Sequence, residues 1–235
     1  MKIIYDAPAI LHKGTLIVGD THFGMEQKLR RKGVYDEQFS MRLFLRLKEL
    51  IVKHKVKTLI LLGDVKEEIT VIDPITEQIL SKLSMLCKVI VAKGNHDGGI
   101  EQCGNAGVMP PEGFVFEKLG LLHGHSWPAE ELMGCDYLVV GHQHPMIALT
   151  DRFGRRHREP VWIVAEPDPN EIKKHYKKFN KKIKLIIMPA FNPIIGSVLN
   201  IDEKSKFGPL INNKLFKLNH ALVFRLNGIC LGKLD

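Results

Sequence analysis

The chain has 235 residues, of which 45% are hydrophobic and 26% are charged, and its formal net charge at pH 7 is +8. These values are ordinary for a globular protein and exclude a chain that is disordered throughout. No stretch approaches the ~18 uninterrupted apolar residues of a membrane-spanning helix, and the N-terminus lacks the pattern of a signal peptide. We therefore expect a single domain over residues 1–235, cytoplasmic and without a membrane partner.

Strand-like and helix-like patterns alternate in the first half of the chain. Residues 15–19, 58–63 and 88–93 are short apolar runs, which is typical of strands that are buried on both faces. Between them, residues 36–54 and 74–86 carry apolar side chains at a spacing of three to four, which predicts amphipathic helices. This β-α-β-α-β order predicts three parallel strands.

From residue 114 onward the apolar stretches are shorter, and turn residues separate many of them. This pattern predicts a second sheet, mixed or antiparallel, with hairpins. The predicted fold class is therefore α/β (α+β by some schemes) with two sheets. The expected strands of the second sheet are residues 114–116, 119–122, 137–140, 146–149, 161–165, 184–188 and 221–226.

Positive charge is concentrated in three segments. Residues 171–184 hold seven lysines and one glutamate, residues 152–158 hold four arginines, and a third basic stretch covers residues 28–32. Basic runs of this kind can neutralise the phosphates of DNA, so each is a candidate contact with nucleic acid. The alternative is ordinary solvated surface, with residues 166–183 forming a basic insertion between two strands.

Five polar blocks follow apolar runs, each at the expected end of a strand. Ligands of an open α/β sheet bind in the crevice at the carboxyl ends of its strands, so these blocks should meet at one edge. Within the first block, residues two apart on an extended chain share a face, which would point Asp20 and His22 to the same side. The blocks are DTH (20–22), GD (63–64), GNHD (94–97), HGH (123–125) and GHQH (141–144).

Together the blocks offer carboxylate, amide and imidazole donors without a thiolate. This set favours Mn²⁺, Fe, Zn²⁺ or Ni²⁺ over calcium or a structural zinc. Each block alone also fits a helix cap, a buried histidine or a turn, but the ordered combination favours a metal site. Seven candidate ligands are too many for one ion, so we expect two ions ~3.5–4 Å apart that share a carboxylate. The candidates are Asp20, His22, Asp64, Asn95, His123, His142 and His144.

The five blocks closely resemble the D-x-H, G-D, G-N-H-[DE], H and G-H-x-H pattern of the calcineurin-like metallophosphoesterases. The resemblance covers about residues 15–145. It implies a four-layer α/β/β/α sandwich with two central mixed sheets. It also implies a dinuclear site for divalent ions, with Mn²⁺ as the first candidate and Fe, Zn²⁺ or Ni²⁺ as the others.

The resemblance also implies a role for individual residues. Asp64 would bridge the two ions, His96 would contact the phosphate and protonate the leaving oxygen, and Asp97 would orient His96. In the HGH block either histidine could be the ligand. The family position matches His123, which leaves His125 beside the ligands or on the pocket wall. One ion would be held by Asp20, His22 and His144, and the other by Asn95, His123 and His142.

Two longer stretches resemble a subgroup of this family. LIVGDTHFGMEQKLRRKGV (16–34) and LIIMPAFNP (185–193) are similar to proteins related to the nuclease subunit of double-strand-break repair complexes. The subgroup includes a bacterial ligase-associated DNA-damage-response endonuclease. The resemblance implies hydrolysis of phosphodiesters in DNA or nucleotide-like substrates. Arg30 and Arg31 are candidates for binding a phosphate that flanks the scissile one, although a water-facing helix surface is the equal alternative.

Two other functions are compatible with the same blocks. The site could serve a phosphomonoesterase that acts on a small metabolite or a phosphoprotein. It could also be a metal-stabilised scaffold without catalytic activity. A scaffold would need the metal ligands but not His96 and Asp97, so the presence of both residues favours an enzyme.

Overall fold

The computed structural model describes residues 1–198 and 207–234. Within these ranges the chain forms two mixed β-sheets that pack face to face, with helices on their outer faces. The predicted α/β sandwich with two mixed sheets is therefore confirmed. The extent of the single domain, residues 1–235, stays a prediction.

The first sheet has six strands in the order β1-β2-β3-β4-β5-β6. The three predicted strands are present as β3, β4 and β5, and they are parallel as expected. A fourth parallel strand, β6, and the antiparallel pair β1 and β2 were not predicted, because these strands have only two or three residues and lack a run of apolar side chains like that of β7. The strands are β1 (Lys2–Ile3), β2 (Ile10–His12), β3 (Thr15–Val18), β4 (Thr58–Leu61), β5 (Lys88–Ala92) and β6 (Gly107–Met109).

Two amphipathic helices cover the outer face of this sheet, α2 (Phe39–Lys53) and α3 (Pro74–Ser84). The start of α3 is determined locally, because the Asp73 carboxylate accepts the backbone N–H of Thr76 at 3.0 Å and proline occupies the first turn. A shorter helix, α1 (Glu26–Arg31), precedes them. No helix within residues 1–198 and 207–234 has the length and hydropathy that a membrane span requires.

Among the described residues the second sheet has nine strands, and all seven predicted strands are present. Strands β8, β9 and β12 are parallel neighbours, whereas β10 and β11 form a long antiparallel hairpin. The strands are β7 (Phe114–Phe116), β8 (Leu119–Leu122), β9 (Tyr137–Val140), β10 (Pro145–Thr150), β11 (Arg156–Ala165), β12 (Lys184–Ile187), β13 (Ser197–Val198), β14 (Leu222–Arg225) and β15 (Cys230–Lys233).

The outer layer on the second sheet consists of short helices and turns. Its α-helices are α4 (Pro169–Ile172) and α5 (Pro209–Asn212). The predicted basic insertion, residues 166–183, belongs to this layer, and its lysines are exposed. It is not simply solvated, however, because the side chains of Ile172 and Tyr176 are buried in the core beneath it.

The first apolar core lies between the first sheet and its helices, and an outer core lies between the second sheet and its short helices. A third apolar core lies between the two sheets. Side chains of β3 and β4, such as Ile17 and Ile60, share it with Val139 and the fully buried Trp162 of the second sheet. The two sheets therefore hold each other in a fixed position. As a result, loops at the ends of their parallel strands can contribute to one site.

The alternation of buried and exposed residues in α2 yields a stability test. Leu47 is fully buried in the first core, whereas Leu45 on the same helix is 52% exposed. We expect Leu47→Ala to lower the free energy of unfolding by about 2–5 kcal/mol, because the truncation leaves a cavity. Leu45→Ala is the matched control and should change it by less than about 0.5 kcal/mol. Urea unfolding followed by circular dichroism measures both; equal losses would contradict this assignment of the core.

Candidate metal centre

The polar blocks lie in loops that leave the carboxyl ends of β3, β4, β5, β8 and β9. We call the side of the two sheets on which these loops meet the site edge. Six of the seven predicted ligands converge there in two groups, and the donor atoms of each group lie within 4.8 Å of one another. The first group is Asp20, His22, Asp64 and His144, and the second is Asp64, His123 and His142.

Asp64 is common to both groups, and its two carboxylate oxygens have different surroundings. The backbone N–H of His96 donates to Oδ1 at 2.9 Å. Oδ2 lies 3.7 Å from Nε2 of His22 and 3.6 Å from Nε2 of His123. One oxygen thus lies between imidazole nitrogens of the two groups, which is the position expected of a bridging carboxylate.

His22 supplies a direct test of whether these residues fit a metal ion. Its Nδ1 lies 2.8 Å from the Glu67 carboxylate, which accepts the Nδ1 hydrogen. Its Nε2 is buried and has no hydrogen-bond partner among the described residues. A buried, unpaired imidazole nitrogen is costly in a closed core, whereas a neutral imidazole with a carboxylate on its other nitrogen is the usual form of a metal ligand. The donor set therefore fits a divalent ion.

The Asp20 carboxylate joins loops of the two sheets. It accepts the backbone N–H of His142 at 3.1 Å, and its Oδ1 lies 3.0 Å from Nε2 of His123 and 2.8 Å from Nε2 of His144. Burial alone would raise the pKa of Asp20, but the neighbouring His144 and His123 outweigh it and hold this pKa well below its usual range. The carboxylate is therefore ionised at neutral pH, as a metal ligand must be.

With this geometry established, the sequence can be placed in a family. It matches the family model described as calcineurin-like phosphoesterase over residues 15–188. The chain belongs to this family. The match includes all five polar blocks, and the family uses divalent metals, so membership supports a hydrolase of phosphate esters. No curated protein gives a significant sequence match.

Two solved structures are similar to this chain. The nuclease MPE of Pseudomonas putida has a TM-score of 0.56 and 20% sequence identity, and the alignment covers 92% of this chain and 86% of that one. Yfce, a phosphoesterase from E. coli, has a TM-score of 0.43 and 16% identity, with 94% and 97% covered. At this identity the first likeness supports the fold alone.

Several candidate ligands have an unusual backbone conformation. Five of these non-glycine residues have positive φ values between 44° and 69°. Such conformations cost of order 1–3 kcal/mol each and cluster at functional sites. The expected alternation on an extended chain was therefore wrong for Asp20 and His22: β3 ends at Val18, and left-handed turns bring the two side chains together. The five residues are Asp20, His22, Asp64, His142 and His144.

Two glycines allow the loops to approach one another this closely. Gly63 has a φ of 78°, and a side chain there would overlap the ring of His123. At Gly94 a side chain would overlap Asp64. Glycine is therefore required in the GD and GNHD blocks for packing, in addition to backbone freedom.

Glu67 is a site residue that the sequence analysis missed. Its carboxylate binds Nδ1 of His22 on one oxygen and the ammonium of Lys28 on the other. Burial by itself raises the pKa of Glu67, but these two hydrogen bonds outweigh it and lower the pKa to about 2. Glu67 lies three residues after Asp64 in the same loop. Nothing in the sequence indicates that its side chain turns inward.

Asp97 and His96 share no direct side-chain hydrogen bond in this structure, and the role of Asp97 in orienting His96 stays a prediction. The buried Asp97 carboxylate accepts the backbone N–H of Val65 and of Gly94, each at 2.8 Å, so it joins two loops. His96 is oriented by a hydrogen bond from its Nδ1 to the backbone oxygen of Glu67 at 2.7 Å.

A buried lysine supports the same loop. The ammonium of Lys66 donates to the backbone oxygens of His96 at 2.7 Å and Ile69 at 2.8 Å, and also to that of Glu68. Lys66 is fully buried, and this desolvation lowers the pKa of its ammonium. Three carbonyl oxygens replace the water that the charge has lost, so Lys66 fixes the backbone on which His96 stands.

Four other predicted residues lie at the periphery. Asn95 is exposed between Gly94 and His96, and its role as a ligand stays a prediction. His125 lies outside both groups, with Nδ1 3.0 Å from Nδ1 of His123, so it lies beside a candidate ligand.

Arg30 and Arg31 are exposed on α1, and Arg30 pairs with Glu37 at 2.9 Å. The basic residue of α1 that contacts the site is Lys28.

The stretch at residues 185–193 also packs against the site. The side-chain amide of the buried Asn192 donates to the backbone oxygen of Thr21 at 3.1 Å. The backbone N–H of Phe191 donates to the oxygen of Gly19 at 2.9 Å. This loop after β12 therefore holds the DTH block in its left-handed conformation.

The position of Asp64 predicts how metal content responds to substitution. Asp64→Ala should lower the occupancy of both ions, because both groups lose the same carboxylate. His22→Ala is the comparison, and it should lower the occupancy of one ion only. The measurement is the ratio of Mn²⁺ to protein by elemental analysis after dialysis. One tightly bound ion remaining in Asp64→Ala would show that this carboxylate does not bridge.

The contact between Glu67 and His22 predicts an effect on affinity. Glu67→Gln should weaken Mn²⁺ binding by about 10–100-fold, because the carboxylate that orients His22 and accepts its Nδ1 hydrogen is lost. Glu68→Gln makes the same charge change at the adjacent position and should leave the affinity unchanged. Isothermal titration calorimetry with Mn²⁺ measures both variants. Equal affinities for the two would rule out this role of Glu67.

Proposed function

We propose that this protein is a phosphodiesterase that depends on two divalent metal ions and acts on DNA or nucleotide-like diesters. The observation that supports the proposal is the Asp64 carboxylate, which is shared by two groups of metal-binding side chains. We propose Mn²⁺ as the ion, with Fe, Zn²⁺ and Ni²⁺ as alternatives, because the donors are oxygen and imidazole without thiolate.

The candidate ligands would hold the two ions on either side of Asp64. We propose Asp20, His22 and His144 for one ion, and Asn95, His123 and His142 for the other. When bound, such a pair supplies a water of lowered pKa and charge that stabilises the phosphate oxygens. Burial of Asp20, Asp64 and His123 excludes bulk water from the ligands, so these side chains stay in place.

We assign proton donation to His96. Its Nδ1 is committed to the backbone oxygen of Glu67, which leaves Nε2 as the nitrogen that can face a substrate. The ring centroids of His96 and His22 lie 5.0 Å apart, so His96 stands beside the first group without belonging to the two groups that share Asp64. Protonated at Nε2, it would transfer a proton to the leaving oxygen.

The basic side chains near the site favour a diester within a polyanion as the substrate over a small monoester. Lys28 pairs with Glu67 and Arg30 with Glu37, but Arg31 and Lys32 at the end of α1 are exposed and form no salt bridge with the described residues. Such charges bind phosphates that flank a scissile bond. A scaffold without catalysis is disfavoured, because Lys66 and Glu67 together fix His96, which a scaffold would not need.

A substrate panel tests the proposal. The metal-free protein is supplied with Mn²⁺, Zn²⁺ or Ni²⁺ and assayed on a chromogenic phosphodiester, a phosphomonoester, and single- and double-stranded DNA. We expect hydrolysis of the diester and of DNA that disappears with a chelator. A strong preference for the monoester would remove the diesterase proposal, and no hydrolysis with any metal would leave the scaffold.

The role of His96 predicts a separation of metal binding from turnover. His96→Ala should retain its Mn²⁺ content and lose about 10²-fold or more in kcat, because the proton donor is removed while the ligands remain. The exposed His220→Ala serves as the control and should behave like the wild type. Steady-state kinetics and elemental analysis give both quantities. An unchanged kcat in His96→Ala would disprove the assignment.

A further inference from the structure

The register of the second sheet determines where the β10–β11 hairpin points. Strand β12 runs parallel to β9, with Ile187 opposite Val140, and both strands run toward the site edge. Strand β11 is antiparallel to β12 and pairs Ile163 with Ile187. Ile187 is the last residue of β12, so the residues of β11 before Ile163 extend beyond the carboxyl end of β12. The candidate ligands lie on the same side.

Strand β10 begins directly after the candidate ligand His144 and runs outward. Its register pairs Met146 with Pro160 and Thr150 with Arg156. Six residues at ~3.4 Å each give the hairpin a reach of roughly 20 Å beyond the metal centre. The hairpin is thus an arm that is rooted at the centre; we call residues 145–161 the basic arm.

The alternation of side chains along β11 shows which face of the arm carries charge. Val161 and Ile163 pack into the outer core of the second sheet, whereas Trp162 packs between the sheets. Arg156 and Arg158 lie six and four residues before Trp162, and alternate residues of a strand share a face. The two arginines therefore lie on the face turned toward the first sheet. The first sheet supplies half of the metal centre, so the two arginines border the side on which the centre lies.

The described residues leave the positive charge of the arm unpaired. The arm carries four exposed arginines that form no salt bridge with the described residues, and they are Arg152, Arg155, Arg156 and Arg158. Its acidic side chains are already engaged. Glu159 pairs with Arg225 at 2.7 Å, and Asp151 accepts the backbone N–H of Phe153 at 2.8 Å.

An aromatic ring stands at the tip of the arm. Phe153 is 73% exposed, and the guanidinium of Arg152 lies 4.8 Å from its ring centroid. Exposed rings beside arginines provide stacking surfaces for unpaired bases. The tip therefore combines the two contacts that a single nucleic-acid strand uses.

The lysine-rich insertion lies at the opposite end of the sheet. Residues 166–183 connect Ala165, the last residue of β11, to Lys184, the first of β12. Lys184 pairs with Tyr137, the first residue of β9, so this end is the one from which β9 and β12 run toward the site edge. The insertion has the larger charge, but the register places it away from the metal centre.

From these positions we infer that the basic arm binds a DNA strand that leaves the metal centre, and that the lysine-rich insertion does not. The inference rests on the proposed function for the meaning of the centre. It identifies the substrate as a polynucleotide that is longer than the nucleotides at the scissile bond. Arg156 and Arg158 would contact the phosphates, and Phe153 would stack on a base.

Binding of DNA by matched charge variants tests the inference. The arm variant is R156Q/R158Q, and the control is K177Q/K178Q in the insertion, which makes the same change of charge at exposed positions. The dissociation constant for a fluorescein-labelled single-stranded DNA oligonucleotide is measured by anisotropy in chelator, across a series of NaCl concentrations. We expect the arm variant to bind about tenfold more weakly and its salt slope to fall by about 1.4. The control should stay within about twofold.

Each outcome is decisive. The inference is overturned if the arm variant binds DNA as tightly as the wild type, if both variants lose binding equally, or if the insertion variant loses more. It is also overturned if the wild type does not bind the oligonucleotide. If R156Q/R158Q fails to fold by circular dichroism, the tip variant R152Q/R155Q takes its place, with the same expected direction. Because binding is measured without metal, it does not depend on catalysis. Loss of binding in the arm variant therefore supports DNA binding by the arm even if no diester is hydrolysed in the substrate panel.

Discussion

Burial of the Asp64 carboxylate at the meeting point of the two sheets is the constraint on which the rest of the structure depends. An ionised carboxylate in a closed environment is strongly unfavourable unless charges and hydrogen bonds compensate it. Here the backbone N–H of His96 donates to one oxygen of Asp64, while Nε2 of His22 and Nε2 of His123 lie 3.7 Å and 3.6 Å from the other oxygen. These groups come from loops of both sheets, so the buried charge explains why the loops converge. A divalent ion on each side would complete the compensation.

The convergence requires a strained backbone, and hydrogen bonds from outside the ligand groups stabilise it. Asp97 joins the GD and GNHD loops through backbone amides, and Lys66 collects three carbonyl oxygens from the same region. Asn192 performs the corresponding task for the DTH block. These residues are not candidate ligands, yet they hydrogen-bond to the loops in which Asp20 and Asp64 have positive φ values.

The same sheet register places the two largest basic segments at opposite ends of the second sheet. Parallel strands leave their carboxyl ends at the site edge, and the antiparallel β11 sends its amino end there as well. The arginines of residues 152–158 therefore lie on the side of the metal centre, whereas the lysines of residues 171–184 lie at the far end. Net charge alone would have favoured the lysine-rich segment over the arginine segment as the candidate contact with DNA.

The sequence by itself predicted ten of the strands within the described residues, the two long helices and six candidate metal ligands that converge, because apolar periodicity and polar blocks at strand ends are local signals. Only the tertiary structure decided the roles of Glu67, Lys66 and Asp97, since whether a charged side chain in a loop turns inward depends on partners that lie far away in the chain. The tertiary structure also decided the short strands β1 and β2 and the direction of the basic arm. They arise from pairing between distant segments, and pairing register leaves no trace in local composition.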